Sequence, residues 1–418
     1  MRVEIKKWVN GGWGLGYQDD GKVVFCANCV PGDIVEIARF SKKKGVHWAE
    51  DSVLLEPSPL RQPRTCAHFP KCGGCNLLSV DAPGEASLKQ DMVRDVLLRT
   101  AKLNDIDWVW RDFALDASRW RGRLQVSRRA GIGFFNQAGN QLVPIQFCRI
   151  LANPMNDLLS ALQQLQPKFP ESASLFFAIQ KDQQVAFELE CESLNPSLCA
   201  ALAELPGVSG VLCQTRNWGE PWIEADWNGF HVRLSPRAFF QANLASWPFF
   251  WQAVSQFQTS VQARSVWDAH AGSGFLITAL AKSSLVWASE PESAAILNLQ
   301  KLQDRFEQLQ IWPGTAGSAV KRDGVPLEKL DLVLLDPPRS GLEPELVDQL
   351  VNRPVPYVLF FGCDTAAFAR DLRKLSEAYR ILEPIQIWNT NPGSARLELV
   401  VKLVRKDADL PVKVSQNA

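Results

Sequence analysis

The chain has 418 residues, enough for two or three domains that each bury a core of their own. Lysine plus arginine and aspartate plus glutamate both number 45, so the overall charge neither indicates nor excludes a nucleic-acid partner. The sequence has no apolar run long enough to cross a membrane, and its charged start, Met1–Lys7, is unlike a secretion signal. Ten cysteines without such a signal are typical of reduced thiols. We therefore expect a soluble cytoplasmic protein with no membrane partner.

The N-terminal part predicts short strands separated by turns. Short apolar runs alternate with turn sequences such as Pro31-Gly32-Asp33. Several short strands at this spacing are typical of a small closed barrel similar to the OB fold, which we assign to residues 1–57. Cys26 and Cys29 have no third and fourth ligand nearby, and we interpret them as cysteines of the barrel.

Four cysteines predict a metal centre. Cys66, Cys72 and Cys75 lie in one short loop, with two glycines between the last two, and Cys148 follows much later in the chain. Three clustered thiolates and a distant fourth are typical of a [4Fe–4S] cluster and less often of zinc. A disulfide pair or unrelated buried thiols are the alternatives. We assign this loop and the helix predicted after it to residues 58–110.

Residues 111–230 predict an α+β domain with a basic stretch. Seven arginines and only two aspartates lie between Arg111 and Arg149. Aromatic residues are interleaved with them, which suits RNA because arginine pairs with phosphate and aromatic rings stack on exposed bases. We select Arg121 and Arg123 as RNA contacts. The alternative is a solvated edge strand beside a pair of core aromatic residues.

From residue 231 the strands alternate with helices, which predicts a parallel-rich sheet over residues 231–406, followed by a tail at 407–418. The loop 268–274 follows one strand, and Glu290 ends the next. Its glycines let a ligand approach the backbone, and a carboxylate in that place can bind ribose hydroxyls. The loop lacks the third glycine of a dinucleotide site and the lysine of a P-loop, which favours S-adenosylmethionine over NAD and ATP.

Three further residues follow or interrupt later strands. Asp336 opens the sequence Asp-Pro-Pro-Arg at a strand end, which indicates either a ligand-facing carboxylate or a structural turn. Cys363 follows the next strand and is either a nucleophile or a small buried apolar residue. Glu398 interrupts an apolar run and is either a general base in a dry site or an edge residue.

Together these motifs resemble the uracil-5 RNA methyltransferases, which make 5-methyluridine in ribosomal or transfer RNA. The resemblance covers nearly the whole chain. It is carried by the four cysteines, Gly12-Trp13-Gly14-Leu15-Gly16, Trp120-Arg121-Gly122-Arg123, Phe239-Phe240-Gln241-Ala242-Asn243, Asp336-Pro337-Pro338-Arg339, Cys363 and Glu398. It implies an N-terminal TRAM barrel, a central α+β domain with the cysteine site, and a C-terminal Rossmann-like methyltransferase domain of the α/β class.

The resemblance also implies roles for single residues. Cys363 is expected to add to C6 of uracil as the nucleophile, and Glu398 to remove the C5 proton as the general base. Phe239 joins the two arginines as an RNA contact. The residues expected to bind S-adenosylmethionine are Gln241, His270, Gly272, Gly274, Phe275, Glu290 and Asp336. The implied cofactors are S-adenosylmethionine and a [4Fe–4S] cluster, and the implied partner is RNA, with 23S ribosomal RNA favoured over transfer RNA, for a monomeric protein.

The sequence departs from the family pattern at several positions. His270 replaces a tyrosine, Asp364 replaces the asparagine after the nucleophile, and Arg396 replaces a histidine. We expect the carboxylate of Asp364 to raise the pKa of the Cys363 thiol. The alternative to an active enzyme is an RNA-binding or assembly factor that kept the scaffold and lost turnover.

Overall fold

The computed structural model describes residues 1–43, 45–63 and 65–408. They form a closed barrel, a seven-stranded sheet, a two-stranded sheet and a nine-stranded sheet. The predicted tail at 407–418 lies outside the described residues from 409 onward. Among the described residues, no helix has the length and apolar character needed to span a membrane.

The N-terminal barrel closes through five strands in the order β1-β2-β3-β5-β4. Their bounds are β1 (Arg2–Val9), β2 (Trp13–Tyr17), β3 (Val23–Ala27), β4 (Ile34–Lys43) and β5 (Val46–Glu56). Alternate residues such as Val3 and Ile5 point inward, as the period of a strand requires. Cys26 and Cys29 are both buried in this core.

The segment after the barrel packs on the C-terminal sheet. It contains the cysteine loop, then α1 (Ala82–Val96), a π-helical turn (Leu97–Ala101) and β6 (Trp108–Asp112). Asp81 caps α1 by accepting a 2.8 Å hydrogen bond from the backbone of Gly84. Leu88 and Met92 bury one face of α1 in the core of the C-terminal sheet. Our predicted boundary at 110/111 falls inside β6, which is an edge strand of that sheet.

The central domain is a mixed sheet with helices on it, in the order β13-β12-β11-β10-β7-β8-β9. Its strands are β7 (Arg121–Ser127), β8 (Gly131–Phe135), β9 (Leu142–Pro144), β10 (Ala173–Ile179), β11 (Val185–Glu190), β12 (Val208–Cys213) and β13 (Arg216–Gly219). Its helices are α2 (Asn153–Gln164) and α3 (Pro196–Ala203). A separate hairpin of β14 (Ile223–Asp226) and β15 (His231–Leu234) follows.

The C-terminal sheet has the order β18-β17-β16-β19-β20-β23-β22-β6, with β21 also paired to β23. Its strands are β16 (Ser265–Asp268), β17 (Leu285–Ser289), β18 (Leu309–Trp312), β19 (Leu332–Leu335), β20 (Tyr357–Gly362), β21 (Tyr379–Ile381), β22 (Ile385–Asn389) and β23 (Glu398–Arg405). The helices are α4 (Trp247–Ser260), α5 (Ser293–Leu302), α6 (Ala316–Lys321), α7 (Pro344–Asn352) and α8 (Thr365–Leu375).

The strands β16 to β20 are parallel to one another, and β23 is antiparallel to β20. Two apolar clusters cover the two faces of this sheet, and β19 is buried at every position, as expected for a parallel sheet covered on both faces. The carboxyl ends of parallel strands meet at one edge. This edge therefore brings together the residues that the sequence places just after β16, β17, β19 and β20.

Candidate active site

Cys363 and Glu398 lie opposite each other on neighbouring strands. β20 and β23 run antiparallel, and their last pair is Gly362 with Leu399. The next position of this register sets Cys363 against Glu398. Opposite residues of an antiparallel pair project from the same face of the sheet. The predicted nucleophile and general base thus share one face at one edge.

Burial dominates the electrostatics of this pair. It raises the pKa of the Cys363 thiol to about 12, the charges of Glu398 and Asp336 add to the rise, and Arg339 opposes it. Burial, followed by the charge of Asp336, also raises the pKa of Glu398 well above its usual range. The Oε1 atom of Glu398 is buried without a hydrogen-bond partner among the described residues. A carboxylate in such a dry place is a strong base once it is ionised.

The expected effect of Asp364 on the thiol is wrong. Its carboxylate accepts a hydrogen bond of 2.9 Å from the backbone N–H of Ala367 and caps α8. The carboxylates that raise the pKa of Cys363 are instead Glu398 and Asp336. The helix cap explains the difference, because it turns the Asp364 carboxylate toward backbone amides at the start of α8.

A buried ion pair holds the loop between β22 and β23, which leads into Glu398. Lys89 and Glu85, one turn apart on α1, lie 2.7 Å from each other and are both buried. The ammonium of Lys89 donates to Asn389 Oδ1 at 2.5 Å and to the backbone oxygens of Asn391 and Arg396 at 3.3 and 3.2 Å. The sequence analysis missed both residues, because a Glu–Lys pair at this spacing on a helix is typical of an exposed surface.

The cysteine loop holds the same segment from its other side. The backbone N–H groups of Asn76 and Leu77 donate to the oxygen of Gly393 at 2.8 and 2.9 Å. The side-chain oxygen of Asn76 accepts from the N–H of Ala395 at 3.0 Å. The loop that precedes Glu398 is therefore fixed jointly by α1 and by the chain just after Cys75.

Acidic side chains gather at the ligand edge around His270. The Asp268 carboxyl is fully buried, and its Oδ2 atom has no partner among the described residues. Burial, with the charge of Asp336 added, raises its pKa to about 8. Burial likewise raises the pKa of Asp336 to about 6 and that of Glu290 above its usual value. His270 shares a 3.2 Å hydrogen bond with Glu343 and, against the opposing effect of burial, lowers the pKa of that carboxyl to about 2.

The glycine loop is shaped by two glycines with different surroundings. Gly272 has φ +53°, donates its N–H to Glu290 Oε2 at 2.9 Å, and presents open space where a side chain would stand. Gly274 has φ +92°, and a Cβ there would lie 2.1 Å from Leu302 on α5. The first glycine leaves room for a ligand, and the second lets the loop pack on the helix.

The predicted cofactor role of Phe275 stays a prediction, and its ring has a packing role. Its ring packs among other aromatic rings, with centroid separations of 5.1 Å to Trp251, 5.3 Å to Trp227 and 5.5 Å to Trp247. Its backbone oxygen accepts from the indole of Trp251. Phe275 therefore anchors the glycine loop by packing. Gln241 is half-buried and holds Trp247 through its backbone oxygen, at 2.8 Å.

This edge fits S-adenosylmethionine, which carries a sulfonium and an ammonium group and two ribose hydroxyl donors. The unpartnered oxygen of Asp268 and the charge of Asp336 offer acceptors and negative potential to such a cation. Glu290 directly follows β17, the strand paired with β16, at the position where ribose hydroxyls are bound in open parallel sheets. The open space at Gly272 leaves a path to the backbone. The charges and the open space at this edge are therefore compatible with this cofactor.

The four predicted metal-site cysteines line one cavity of about 400 Å³, which we call the thiol cavity. Cys72, Cys75 and Cys148 have pKa values raised first by burial and then by one another's charge. Asn156, which no sequence pattern indicated, holds the backbone of Cys148. Its Oδ1 accepts from the Cys148 N–H at 2.9 Å, and its Nδ2 donates to the Cys148 oxygen at 3.0 Å. All are free thiols. In the described part of the chain, no three His, Cys, Asp or Glu side chains stand close enough to hold a single metal ion.

The thiol cavity also reaches Cys363, so the cysteine loop and the candidate nucleophile border the same space. Gly73 presses this loop on the central sheet, since its N–H donates to Phe135 O at 2.9 Å and a Cβ there would lie 2.5 Å from the backbone of Asn136. The cavity thus lies where the cysteine loop, the central domain and the C-terminal sheet meet.

The predicted RNA contacts differ in their surroundings. Arg121 donates to the backbone oxygens of Phe240 and Arg237, both at 3.3 Å, and its guanidinium lies over the Phe239 ring at 5.3 Å. These contacts join β7 to the 237–240 segment and give Arg121 a structural role, while its contact with RNA stays a prediction. Arg123 is exposed, as is Phe239 at 66%.

Comparisons with known proteins agree with this architecture. Residues 1–60 match the family model of the TRAM domain of tRNA (uracil(54)-C(5))-methyltransferase. An uncharacterized RNA methyltransferase of Aquifex aeolicus is 24% identical over 97% of this chain and 99% of its own length. Another, of Enterococcus faecalis, is 25% identical over 97% of this chain and 98% of its own length.

A solved structure has the same fold over nearly its whole length. It is the Pyrococcus abyssi tRNA (uracil-54, C5)-methyltransferase in complex with S-adenosyl-L-homocysteine, with a TM-score of 0.73 at 20% identity, covering 96% of this chain and 99% of that chain. The predicted fold, a TRAM barrel joined to a Rossmann-like methyltransferase domain, is confirmed. The chain has the architecture of a TRAM-containing RNA methyltransferase.

Proposed function

We propose that this protein transfers a methyl group from S-adenosylmethionine to carbon 5 of a uridine in RNA. The observation that carries the proposal is the pairing of Cys363 with Glu398 at the ligand edge of the sheet, beside the acidic residues around His270. Neither a bare cofactor site nor an RNA-binding surface requires a thiol opposite a buried carboxylate. The match of fold and barrel to RNA methyltransferases supports the same assignment.

The chemistry follows from the two side chains. Carbon 5 of uracil is a weak nucleophile, so an electron pair must first be supplied to the ring. The Cys363 thiol loses its proton to water, and the thiolate adds to carbon 6 and forms a C–S bond, which makes carbon 5 electron-rich. S-adenosylmethionine, when bound, supplies the electrophilic methyl group and leaves as S-adenosylhomocysteine. Glu398 then takes the proton from carbon 5, and the C–S bond breaks to release the thiolate and the methylated base.

We propose that the cysteines of the thiol cavity hold a [4Fe–4S] cluster with a structural role. The supporting observation is that Cys66, Cys72, Cys75 and Cys148, from two distant segments of the chain, all line the thiol cavity. In a zinc site every sulfur lies about 2.3 Å from one ion, whereas a cluster needs thiolates spread around a larger body. The methyl transfer above needs no electron, so the cluster would organise the loop beside Cys363.

The RNA class is tested with two substrates. The sequence predicts 23S ribosomal RNA, while the matched barrel model and the solved P. abyssi structure are both named for transfer RNA. Purified protein is incubated with S-adenosylmethionine carrying a labelled methyl group and with total RNA from cells that lack the protein. The RNA is then separated by size and digested to nucleosides.

The proposal expects labelled 5-methyluridine in one RNA class, and none with the Cys363→Ala variant. RNA binding without label in any nucleoside would instead support the assembly-factor alternative. Label in a nucleoside other than 5-methyluridine would contradict the assigned chemistry.

A further inference from the structure

Three arginines converge on the thiol cavity beside Cys363. They are Arg119, which precedes β7, Arg339 in the loop after β19, and Arg396 in the loop before β23. These positions lie far apart in the chain and belong to two domains, so only the folded structure brings them together. A fourth lining arginine, Arg149, is bound to Asp116 with a shortest separation of 2.5 Å.

The three guanidinium groups lack a negative partner. Over the described residues none of them has a carboxylate oxygen within the 4.0 Å of a salt bridge, and Arg119 has only a 3.4 Å contact with Asn391 Oδ1. Within the described part of the chain, the single acidic residue lining the cavity is Asp364, whose carboxylate caps α8. Burial, together with the neighbouring guanidinium groups, lowers the pKa of Arg396 to about 10, so it is still a cation at neutral pH.

The candidate nucleophile adds no negative charge to this side of the cavity. The Cys363 thiol, with a pKa of about 12, is neutral at neutral pH. The three guanidinium groups beside it therefore have no carboxylate partner among the described residues, an arrangement that favours binding of an anion.

The size and the remaining lining of the cavity indicate the anion. A volume of about 400 Å³ is in the range of small-molecule sites. Phe134 and Phe147 line the same space, and Phe147 is 59% exposed beside Cys148. Exposed rings next to arginines suit an RNA strand, since bases stack on the rings and the planar guanidinium binds phosphate with two hydrogen bonds.

We infer that Arg119, Arg339 and Arg396 form a phosphodiester-binding site for the nucleotide whose base enters the thiol cavity toward Cys363. This inference rests on the proposed function, because it takes RNA as the substrate. The site holds the backbone of the extruded nucleotide, and so positions carbon 6 of the base at the thiol.

The test measures RNA binding directly, without turnover. Arg119→Gln and Arg396→Gln variants are titrated with transcripts of transfer RNA and of 23S ribosomal RNA at several salt concentrations. The matched control is Arg353→Gln, which removes an arginine paired with Asp323 and Glu328 outside the cavity. Arg396→Lys keeps the positive charge, and binding of S-adenosylhomocysteine reports whether the fold of the cofactor site is intact.

Each glutamine variant is expected to weaken RNA binding about tenfold and to reduce the slope of log affinity against log salt by about one, as for one lost phosphate contact. Arg353→Gln and Arg396→Lys should keep the wild-type slope, and S-adenosylhomocysteine affinity should stay unchanged in all. Glutamine variants with wild-type RNA affinity and slope would overturn the inference. A protein with these binding losses but no methyl transfer would refute the proposed function and leave the phosphate site standing.

Discussion

Glu398 lies opposite Cys363 at the first position beyond the paired residues of β20 and β23, directly after the Gly362–Leu399 pair. Cys363 directly follows β20 and Glu398 begins β23, so the ends of two paired strands set both positions. A slip of one residue would turn Glu398 to the other face of the sheet, while the apolar residues of β23 would lose their core positions. The buried core of β23 therefore fixes where the base stands relative to the nucleophile.

The high pKa of the Cys363 thiol predicts slow reaction with alkylating reagents at neutral pH. Because burial raises this pKa to about 12, the thiolate fraction should increase about tenfold for each pH unit between pH 7 and 10. The rate of iodoacetamide labelling of Cys363, measured on its peptide by mass spectrometry, reports this thiolate fraction. Glu398→Gln removes one charge that raises the pKa, and should speed labelling at pH 8. A labelling rate that levels off below pH 9 in the wild type would contradict this prediction.

The two glycines of the cofactor loop predict opposite tolerance to alanine. Gly274→Ala places a methyl group 2.1 Å from Leu302, so the loop must leave α5. Gly272→Ala meets nothing within 4 Å and brings only the strain of φ +53°, about 1 kcal/mol. Calorimetric titration with S-adenosylhomocysteine should show a loss of at least tenfold in affinity for Gly274→Ala and a smaller one for Gly272→Ala. The reverse order would mean that the loop does not pack on α5 as described.

The buried Lys89–Glu85 pair predicts a strongly destabilising single change. Lys89→Met leaves the buried Glu85 carboxylate without its cation and takes one donor from two backbone oxygens of the loop before Glu398, which costs about 3–5 kcal/mol. The thermal unfolding midpoint should fall by several degrees. Arg99→Gln is the matched control, because its i,i+4 pair with Asp95 is exposed and should contribute under 1 kcal/mol.

A double variant separates the pair from general damage to the core. Lys89→Met with Glu85→Gln removes both charges, and its loss of stability should be smaller than the sum of the two single losses. Strictly additive losses would show that the two side chains act independently.

The Asp268 carboxyl predicts a fall in stability as the pH rises. Its folded pKa of about 8 lies above the ordinary value of 3.8, so between these values the native state holds one more proton than the unfolded chain. The stabilising contribution of this group is therefore fully present below pH 4 and is lost as the pH rises through 8. Between these values the free energy of unfolding should fall by about 1.4 kcal/mol per pH unit. Asp268→Asn should reduce the pH dependence of the thermal unfolding midpoint between pH 5.5 and 8. Asp323→Asn, at an exposed site, should leave that pH dependence unchanged. An equal pH dependence of the midpoint in wild type and Asp268→Asn would contradict this prediction.

Much of the ligand edge could be predicted from the sequence. Asp268, Glu290, Asp336 and Cys363 each follow or end an apolar run, and the carboxyl ends of parallel strands meet at one edge. The pairing of Cys363 with Glu398 needed the antiparallel register of β23, which no local pattern gives.

Other parts of the site could not be predicted, because they depend on packing between distant segments. Arg119 lines the thiol cavity whereas Arg121, two residues on, ties β7 to the 237–240 segment. Both lie in the same arginine-rich stretch, but Arg119 precedes β7, so the alternation of the strand does not determine where its side chain lies. Lys89 looked like a surface residue for the same reason, since the loop that buries it lies about 300 residues later in the chain.

Trapping with 5-fluorouridine tests the central claim most directly. Fluorine at carbon 5 cannot leave as a proton, so Glu398 cannot complete the reaction and the bond between Cys363 and carbon 6 should persist. Wild-type protein with S-adenosylmethionine and 5-fluorouridine-containing transfer or ribosomal RNA should give a complex that survives denaturing electrophoresis. Cys363→Ala should give none. Absence of the complex with every RNA, or its persistence in Cys363→Ala, would contradict covalent catalysis by Cys363.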